Sequence, residues 1–100
     1  MLLKLGVSIN NLEYHCRRAL NIIEAVYSQQ GFSEAVVTST CEGNHSPSSF
    51  HYQNRALDLR WPIKDKDKCT ALIRAIRSAL GPSFDVITEA SHIHVEYDPK

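Results

Sequence analysis

Two β-rich runs near the carboxyl end are separated by only three residues, and this spacing constrains the fold more than any other feature. The runs span 84–88 and 92–97, and the connection 89–91 has the length of a hairpin loop. The two strands are therefore predicted to pair in antiparallel orientation. Because successive side chains point to opposite faces of a strand, His92 and His94 are predicted to project from the same face.

Two other segments carry apolar residues at the three- and four-residue spacing of an amphipathic helix. The first spans 11–30, with Asn10 or Asn11 available as the cap and Gly31 as the stop signal. The second spans 69–80, after a charged lead-in. The chain is therefore predicted to contain two main helices.

Further strands are predicted at 35–40 and 55–60, and the Gly-, Asn-, Pro- and Ser-rich stretch 41–49 between them is predicted to be a loop. The order helix, strand, strand, helix, strand, strand favours an α+β fold, with a small antiparallel sheet and helices against one face. One hundred residues with 43% hydrophobic content suffice for one core. Residues 1–100 are interpreted as a single domain.

Charge and the amino-terminal residues narrow the choice of partners. Eleven acidic and eleven basic residues give a formal net charge of zero, which does not favour a nucleic-acid partner. The first ten residues are interrupted by Lys4, Gly6 and Ser8, and they match neither a signal peptide nor a membrane span. We therefore expect cytoplasmic synthesis without a signal peptide, and no membrane partner.

Histidines and carboxylates concentrate in two short segments, one containing His51 and Asp58 and the other containing Glu89, His92 and His94. Zinc prefers imidazole nitrogens and carboxylate oxygens in a tetrahedral array, and a catalytic site leaves the fourth position to water. These residue types predict a zinc site assembled from separate parts of the fold. The spacing alone is equally compatible with histidines that only form hydrogen bonds.

The pattern SxHxxxxAxD, which runs from Ser49 to Asp58, is followed later by an acidic residue and HxH. This compound pattern resembles the zinc peptidases of the D-alanyl-D-alanine carboxypeptidase and L,D- or D,D-endopeptidase superfamily. It is also similar to the amino-terminal signalling domain of Hedgehog proteins, which shares that fold and zinc site. The likeness to Hedgehog includes His45 and the closing pair His92 and His94.

The resemblance implies that His51, Asp58 and His94 ligate Zn²⁺, and that Glu89 or His92 handles protons. In the carboxypeptidases the catalytic glutamate lies three residues before the ligand histidine, whereas in Hedgehog the equivalent acid lies six residues before it. Glu89 precedes His94 by five residues, which departs from both patterns. The choice of general base therefore stays open between Glu89 and His92.

The resemblance also implies roles for several neighbouring residues. His45 and His92 would be placed to hydrogen-bond the oxyanion. Ser49 would either hold the substrate backbone or brace His51, although a serine in a Ser-rich loop also fits ordinary turn chemistry. Asn54 stands where family members usually carry Gly, and Asn tolerates a left-handed backbone better than most residues.

Four arginines are candidates for binding a terminal carboxylate, because a guanidinium makes bidentate contacts with that group. The sequence does not distinguish these arginines from ordinary solvated side chains. They are Arg17, Arg18, Arg55 and Arg60.

The resemblance favours an enzyme: a zinc metallopeptidase, of carboxypeptidase or endopeptidase type, that hydrolyses peptide bonds in peptidoglycan stem peptides or cross-links. A small chain without a wall-binding module is similar to phage or prophage lysis proteins, which reach the cell wall through a holin or inside a virion. The alternative is a catalytically inactive zinc-binding structural or interaction domain of Hedgehog-like fold. In either case a monomer is expected.

Overall fold

The structure, a computed structural model, describes residues 1–40 and 54–99. Within these ranges it contains two helices and a five-stranded sheet, which confirms the predicted α+β class. The helices are α1 (Tyr14–Gln29) and α2 (Lys66–Leu80). The strands are β1 (Leu2–Leu3), β2 (Val36–Ser39), β3 (Ala56–Leu59), β4 (Phe84–Thr88) and β5 (Ile93–Tyr97). The predicted loop at 41–49 lies outside the described residues.

Helix α1 begins three residues later than the predicted start at Asn11. Its cap is Glu13, whose carboxylate accepts a hydrogen bond from the backbone N–H of His15 at 2.8 Å. Leu12 is buried in the core, with only 4% of its surface exposed. It lies in a turn in which its backbone N–H donates a hydrogen bond to the carbonyl of Ile9 at 3.2 Å. The helix starts after this turn, at Tyr14.

Helix α2 has local signals at both ends. Asp65 caps its amino terminus, because one carboxylate oxygen accepts from the backbone N–H groups of Asp67 and Lys68 at 2.9 and 3.1 Å. Gly81 follows the helix with a φ of 84°, a conformation that costs glycine little because it has no Cβ. Apolar residues at helical spacing then pack one face of α2 against the sheet.

The strand order is β1-β2-β3-β5-β4, and all neighbouring pairs are antiparallel except β1 and β2, which are parallel. The predicted antiparallel sheet is present in β2 to β5, and β1, which was not predicted, adds a parallel pair at its edge. With two residues, Leu2 and Leu3, β1 is too short to show an alternating pattern. It pairs with Val36 and Val37 of β2 after the chain has crossed through α1, and a helical crossover of this kind returns a strand in parallel orientation.

The two faces of the sheet differ in polarity. Leu57 and Leu59 of β3 and Ile93 and Val95 of β5 are fully buried in the core that the helices cover. Full burial of each such side chain contributes about 1.5–3 kcal/mol relative to exposure. The alternate positions are Ala56 and Asp58 in β3 and His94 and Glu96 in β5, so three of the four are polar. The candidate site thus lies on the face opposite the helices.

Helices α1 and α2 contain 16 and 15 residues. A helix needs about 20 apolar residues to span a bilayer. Neither helix of the described ranges has the length and apolar character required to cross a membrane.

Asn54 adopts a left-handed backbone with a φ of 58°. This conformation is the one proposed for the position where members of the resembled family carry Gly. The carbonyl of Asn54 accepts a hydrogen bond from the N–H of Glu13 at 2.8 Å, which ties the start of β3 to the start of α1. The backbone observed at Asn54 is one that Asn tolerates better than most residues.

Candidate metal centre

Strand pairing brings Asp58 and His94 together, although they lie 36 residues apart in sequence. The two residues are direct partners in the antiparallel register of β3 and β5. The Nδ1 atom of His94 lies 3.0 Å from Oδ1 of Asp58. Asp58 is only 6% exposed, so its carboxylate is positioned from a rigid, buried strand. Two of the predicted zinc ligands are therefore adjacent.

His92 faces the same carboxylate, as the alternation of β5 predicts. Its Nε2 atom lies 3.6 Å from Oδ1 of Asp58. Its other ring nitrogen, Nδ1, lies 2.9 Å from the hydroxyl of Ser91. This imidazole is more exposed than that of His94, at 32% against 14%. His92 is thus oriented toward the site while one edge of its ring stays open to solvent.

Glu96 completes the environment of His94 and was not predicted as a site residue. Its Oε1 atom lies 2.7 Å from Nε2 of His94, so each ring nitrogen of that histidine faces a carboxylate. The contact with Asp58 raises the pKa of His94, burial lowers it, and the contact with Glu96 raises it further. Glu96 lies two residues after His94 on the same strand face, and this alternation was the available sequence signal.

The donor atoms of Asp58 and His94 fit a zinc ion. With metal–ligand distances of about 2.0–2.2 Å, two donors in a tetrahedral site lie roughly 3.3 Å apart. The observed separation of 3.0 Å requires only a small movement of the two side chains. Metal-bound histidines commonly donate their other N–H to a carboxylate, which is the position that Glu96 occupies.

Three of the predicted site residues lie outside the described residues. They are His51, the expected third zinc ligand, His45, an expected oxyanion donor, and Ser49, an expected substrate contact.

Glu89 lies on the hairpin directly across from His92. Its backbone N–H donates to the carbonyl of His92 at 2.9 Å, and its own carbonyl accepts from Nε1 of Trp61 at 3.0 Å. These two hydrogen bonds hold the turn in place. The carboxylate is exposed and pairs with no residue in the part of the chain that the structure describes. The carboxylate of Glu89 is thus accessible to solvent.

A second group of acids adjoins the site. Ligand oxygens of Asp85, Glu96 and Asp98 all lie within 4.8 Å of one another, the one such trio of possible metal ligands in the described ranges. Carboxylate oxygens suit hard cations such as Ca²⁺ or Mg²⁺ better than zinc, and exposed acids often cluster without any ion. Glu96 belongs to both groups, because its Oε1 atom also contacts Nε2 of His94.

The candidate arginines have different surroundings. The guanidinium of Arg18 lies over the ring of Tyr14 at 5.8 Å, and that of Arg55 lies over the ring of Tyr97 at 5.6 Å. Arg60, in contrast, lines an open groove next to the hairpin. Of these three, Arg60 is therefore the one placed in a concave surface.

No protein-family model matches the chain, and the comparison with curated proteins finds no match.

Proposed function

We propose that the protein is a zinc metallopeptidase that hydrolyses peptide bonds in peptidoglycan stem peptides or cross-links. One observation carries this proposal: His94 lies between two carboxylates, with Nδ1 facing the buried Asp58 and Nε2 facing Glu96. That arrangement is typical of a metal-binding histidine with its supporting acid. It coincides with the residues that the resemblance to the zinc peptidases identifies as ligands.

The proposed ligand set is His51, Asp58 and His94, which leaves one tetrahedral position for water. When bound, the ion supplies Lewis acidity that activates this water and polarises the scissile carbonyl. The buried carboxylate of Asp58 contributes negative charge that balances part of the charge of the cation.

Glu89 and His92 divide the proton chemistry in this proposal. Glu89 accepts a proton from the attacking water as the new C–O bond forms, and it returns that proton to the amine as the C–N bond breaks. In this proposal His92 carries its N–H on Nε2 and donates it to the oxyanion, while Nδ1 accepts from the Ser91 hydroxyl 2.9 Å away. His45 is proposed as a second oxyanion donor and Ser49 as a substrate contact.

Digestion of purified peptidoglycan with zinc-loaded protein tests the activity. We expect new amino termini or released D-alanine by mass spectrometry, and no products after chelation of the metal. Glu89→Gln should lower turnover with little change in zinc content. Normal turnover in this variant would move the role of base to His92.

Zinc content tests the ligand set separately. His51→Ala and His94→Ala should each lose stoichiometric zinc, since each removes one of three protein ligands. His15→Ala is the matched control, because His15 lies on α1 and pairs with Glu13. Full zinc content in either ligand variant would refute the assignment. Zinc binding without cleavage of any wall type would instead identify an inactive structural or interaction domain.

The proposed site of action is the cell wall, which a phage or prophage lysis protein reaches through a holin or inside a virion. A monomer that contacts only its peptide substrate is sufficient for this role.

A further inference from the structure

A wide groove lies between α2 and the turn of the β4–β5 hairpin. Its volume is about 1180 Å³, which exceeds the range of roughly 300–1,000 Å³ usual for small-molecule sites. Trp61, Ile63 and Ile73 contribute apolar surface to it. The hydrogen bond from Trp61 to the carbonyl of Glu89 fixes one wall against the hairpin. The groove is therefore of a size and shape that suit an extended peptide.

The charge of the groove is strongly one-sided. One carboxylate, that of Glu89, lines it, against five exposed cationic side chains. Among the described residues, none of the five forms an ion pair with a carboxylate. The five cations are Arg60, Lys64, Lys66, Arg74 and Arg77. Asp65 and Asp67 alternate with the lysines just outside this lining, and the guanidinium of Arg77 donates to the carbonyl of Val86 at 2.7 and 3.2 Å. The lining itself nevertheless carries an excess of positive charge.

The groove and the metal centre share the hairpin turn. Glu89 and Ser91 line the groove, and the hydroxyl of Ser91 contacts Nδ1 of His92 at 2.9 Å. The opposite nitrogen of His92 is the one that lies 3.6 Å from Asp58. A ligand that fills the groove therefore contacts the turn that carries Glu89 and Ser91, directly before His92 in the sequence.

We propose that this groove binds a carboxylate-rich segment of the peptide substrate and positions it relative to the metal centre. The proposal rests on the proposed peptidase function and adds where the substrate lies and which chemical groups are recognised. Guanidinium and ammonium groups supply the attraction for carboxylates, while the apolar surface around Trp61 contacts the peptide backbone and side chains. The apolar surface and the single acid at Glu89 favour a peptide over a uniformly charged nucleic acid.

An NMR titration of zinc-loaded protein tests the proposal, because Trp61 is the single tryptophan and its indole N–H gives one resolvable resonance. The probes are acetyl-(Glu-Ala)₃-amide and its glutamine counterpart, with mass spectrometry used to verify that both stay intact. The glutamate peptide should shift the indole resonance and bind at least about tenfold more tightly at low salt, with affinity falling as salt rises. Equal binding of the two peptides would overturn the proposal.

Charge-reversal variants within one turn of α2 test which residues bind the glutamate peptide. Lys66→Glu changes a residue that lines the groove, whereas Lys68→Glu makes the same change nearby but outside the groove. Lys66→Glu should weaken binding of the glutamate peptide about five- to tenfold, and Lys68→Glu much less. Equal effects of the two variants, or tighter binding of a six-nucleotide oligothymidylate than of the peptide, would contradict the assignment.

This titration does not depend on catalysis. If peptidoglycan is not cleaved but the glutamate peptide binds at Trp61, the anionic-peptide site is supported and the peptidase function is refuted. If peptidoglycan is cleaved and both peptides bind equally, the peptidase function is supported and the groove assignment is refuted.

Discussion

At the residue scale, the environment of His94 is the most informative feature. Asp58 faces one ring nitrogen and Glu96 the other, so the ring is held at both ends. A supporting acid fixes the orientation of a ligand histidine and increases its basicity, and loss of such an acid typically lowers metal affinity 10- to 100-fold. Glu96 is therefore expected to matter for metal binding without being a ligand.

The variant Glu96→Ala should weaken zinc binding by about 10- to 100-fold, whereas Glu96→Gln should retain part of the affinity by keeping an acceptor for Nε2. Competition with a chromophoric chelator measures the affinity. Glu34→Ala serves as the control, because it removes a carboxylate that pairs with the amino-terminal ammonium group of Met1. Wild-type zinc affinity in Glu96→Ala would show that the contact does not position His94.

Sequence reasoning succeeded at the residue scale where one local rule sufficed. Alternation along β5 predicted that His92 and His94 share a face, and in the structure that face is the one that carries Asp58. The tolerance of Asn for a positive φ is consistent with the backbone of Asn54. Glu96 was missed because its importance depends on a 2.7 Å contact that the sequence does not encode directly. The roles proposed for His51, His45 and Ser49 stay predictions.

At the element scale, the helix ends show which local signals dominate. Asp65 begins α2 with two hydrogen bonds to one carboxylate oxygen, and Gly81 ends it. The start of α1 was misplaced by three residues, because Glu13 caps the helix rather than Asn10 or Asn11, and Leu12 lies buried in the turn before it.

Removal of the α2 cap provides a stability test. Asp65→Ala should lower the free energy of unfolding by about 1 kcal/mol, because two backbone N–H groups lose their acceptor. Asp67→Ala, also in the first turn, removes only a favourable interaction with the helix dipole and should cost less. Urea denaturation followed by circular dichroism measures both values. A larger loss in Asp67→Ala would contradict the capping assignment.

At the scale of the whole molecule, the helices and strands were predictable but their arrangement was only partly so. The C-terminal hairpin follows from its short connection. In contrast, β5 lies between β3 and β4, and β1 adds a parallel pair at the edge of the sheet. These contacts join segments that are distant in sequence, and the hydrophobic pattern of each strand does not predict which strands become neighbours.

Zinc should stabilise the whole fold if the proposed centre binds it. A ligand that binds only the folded state at 100 times its dissociation constant adds about 2.7 kcal/mol. For a domain of this size, a gain of 1 kcal/mol raises Tm by roughly 4–8 °C, so the rise is measurable by calorimetry. His94→Ala should abolish the zinc-dependent rise and His15→Ala should preserve it. An unchanged Tm on addition of zinc to the wild-type protein would exclude tight binding.

The separation of Asp58 and His94 by 36 residues has a kinetic consequence. Neither strand alone holds the pair, so the pair forms only after β3 has paired with β5, and long-range pairing of this kind is slow. A nascent or partly folded chain would therefore offer a metal ion only scattered, weak donors. If the centre binds zinc as proposed, uptake of the ion should be a late event in folding, and tight binding should require that β3 and β5 have paired.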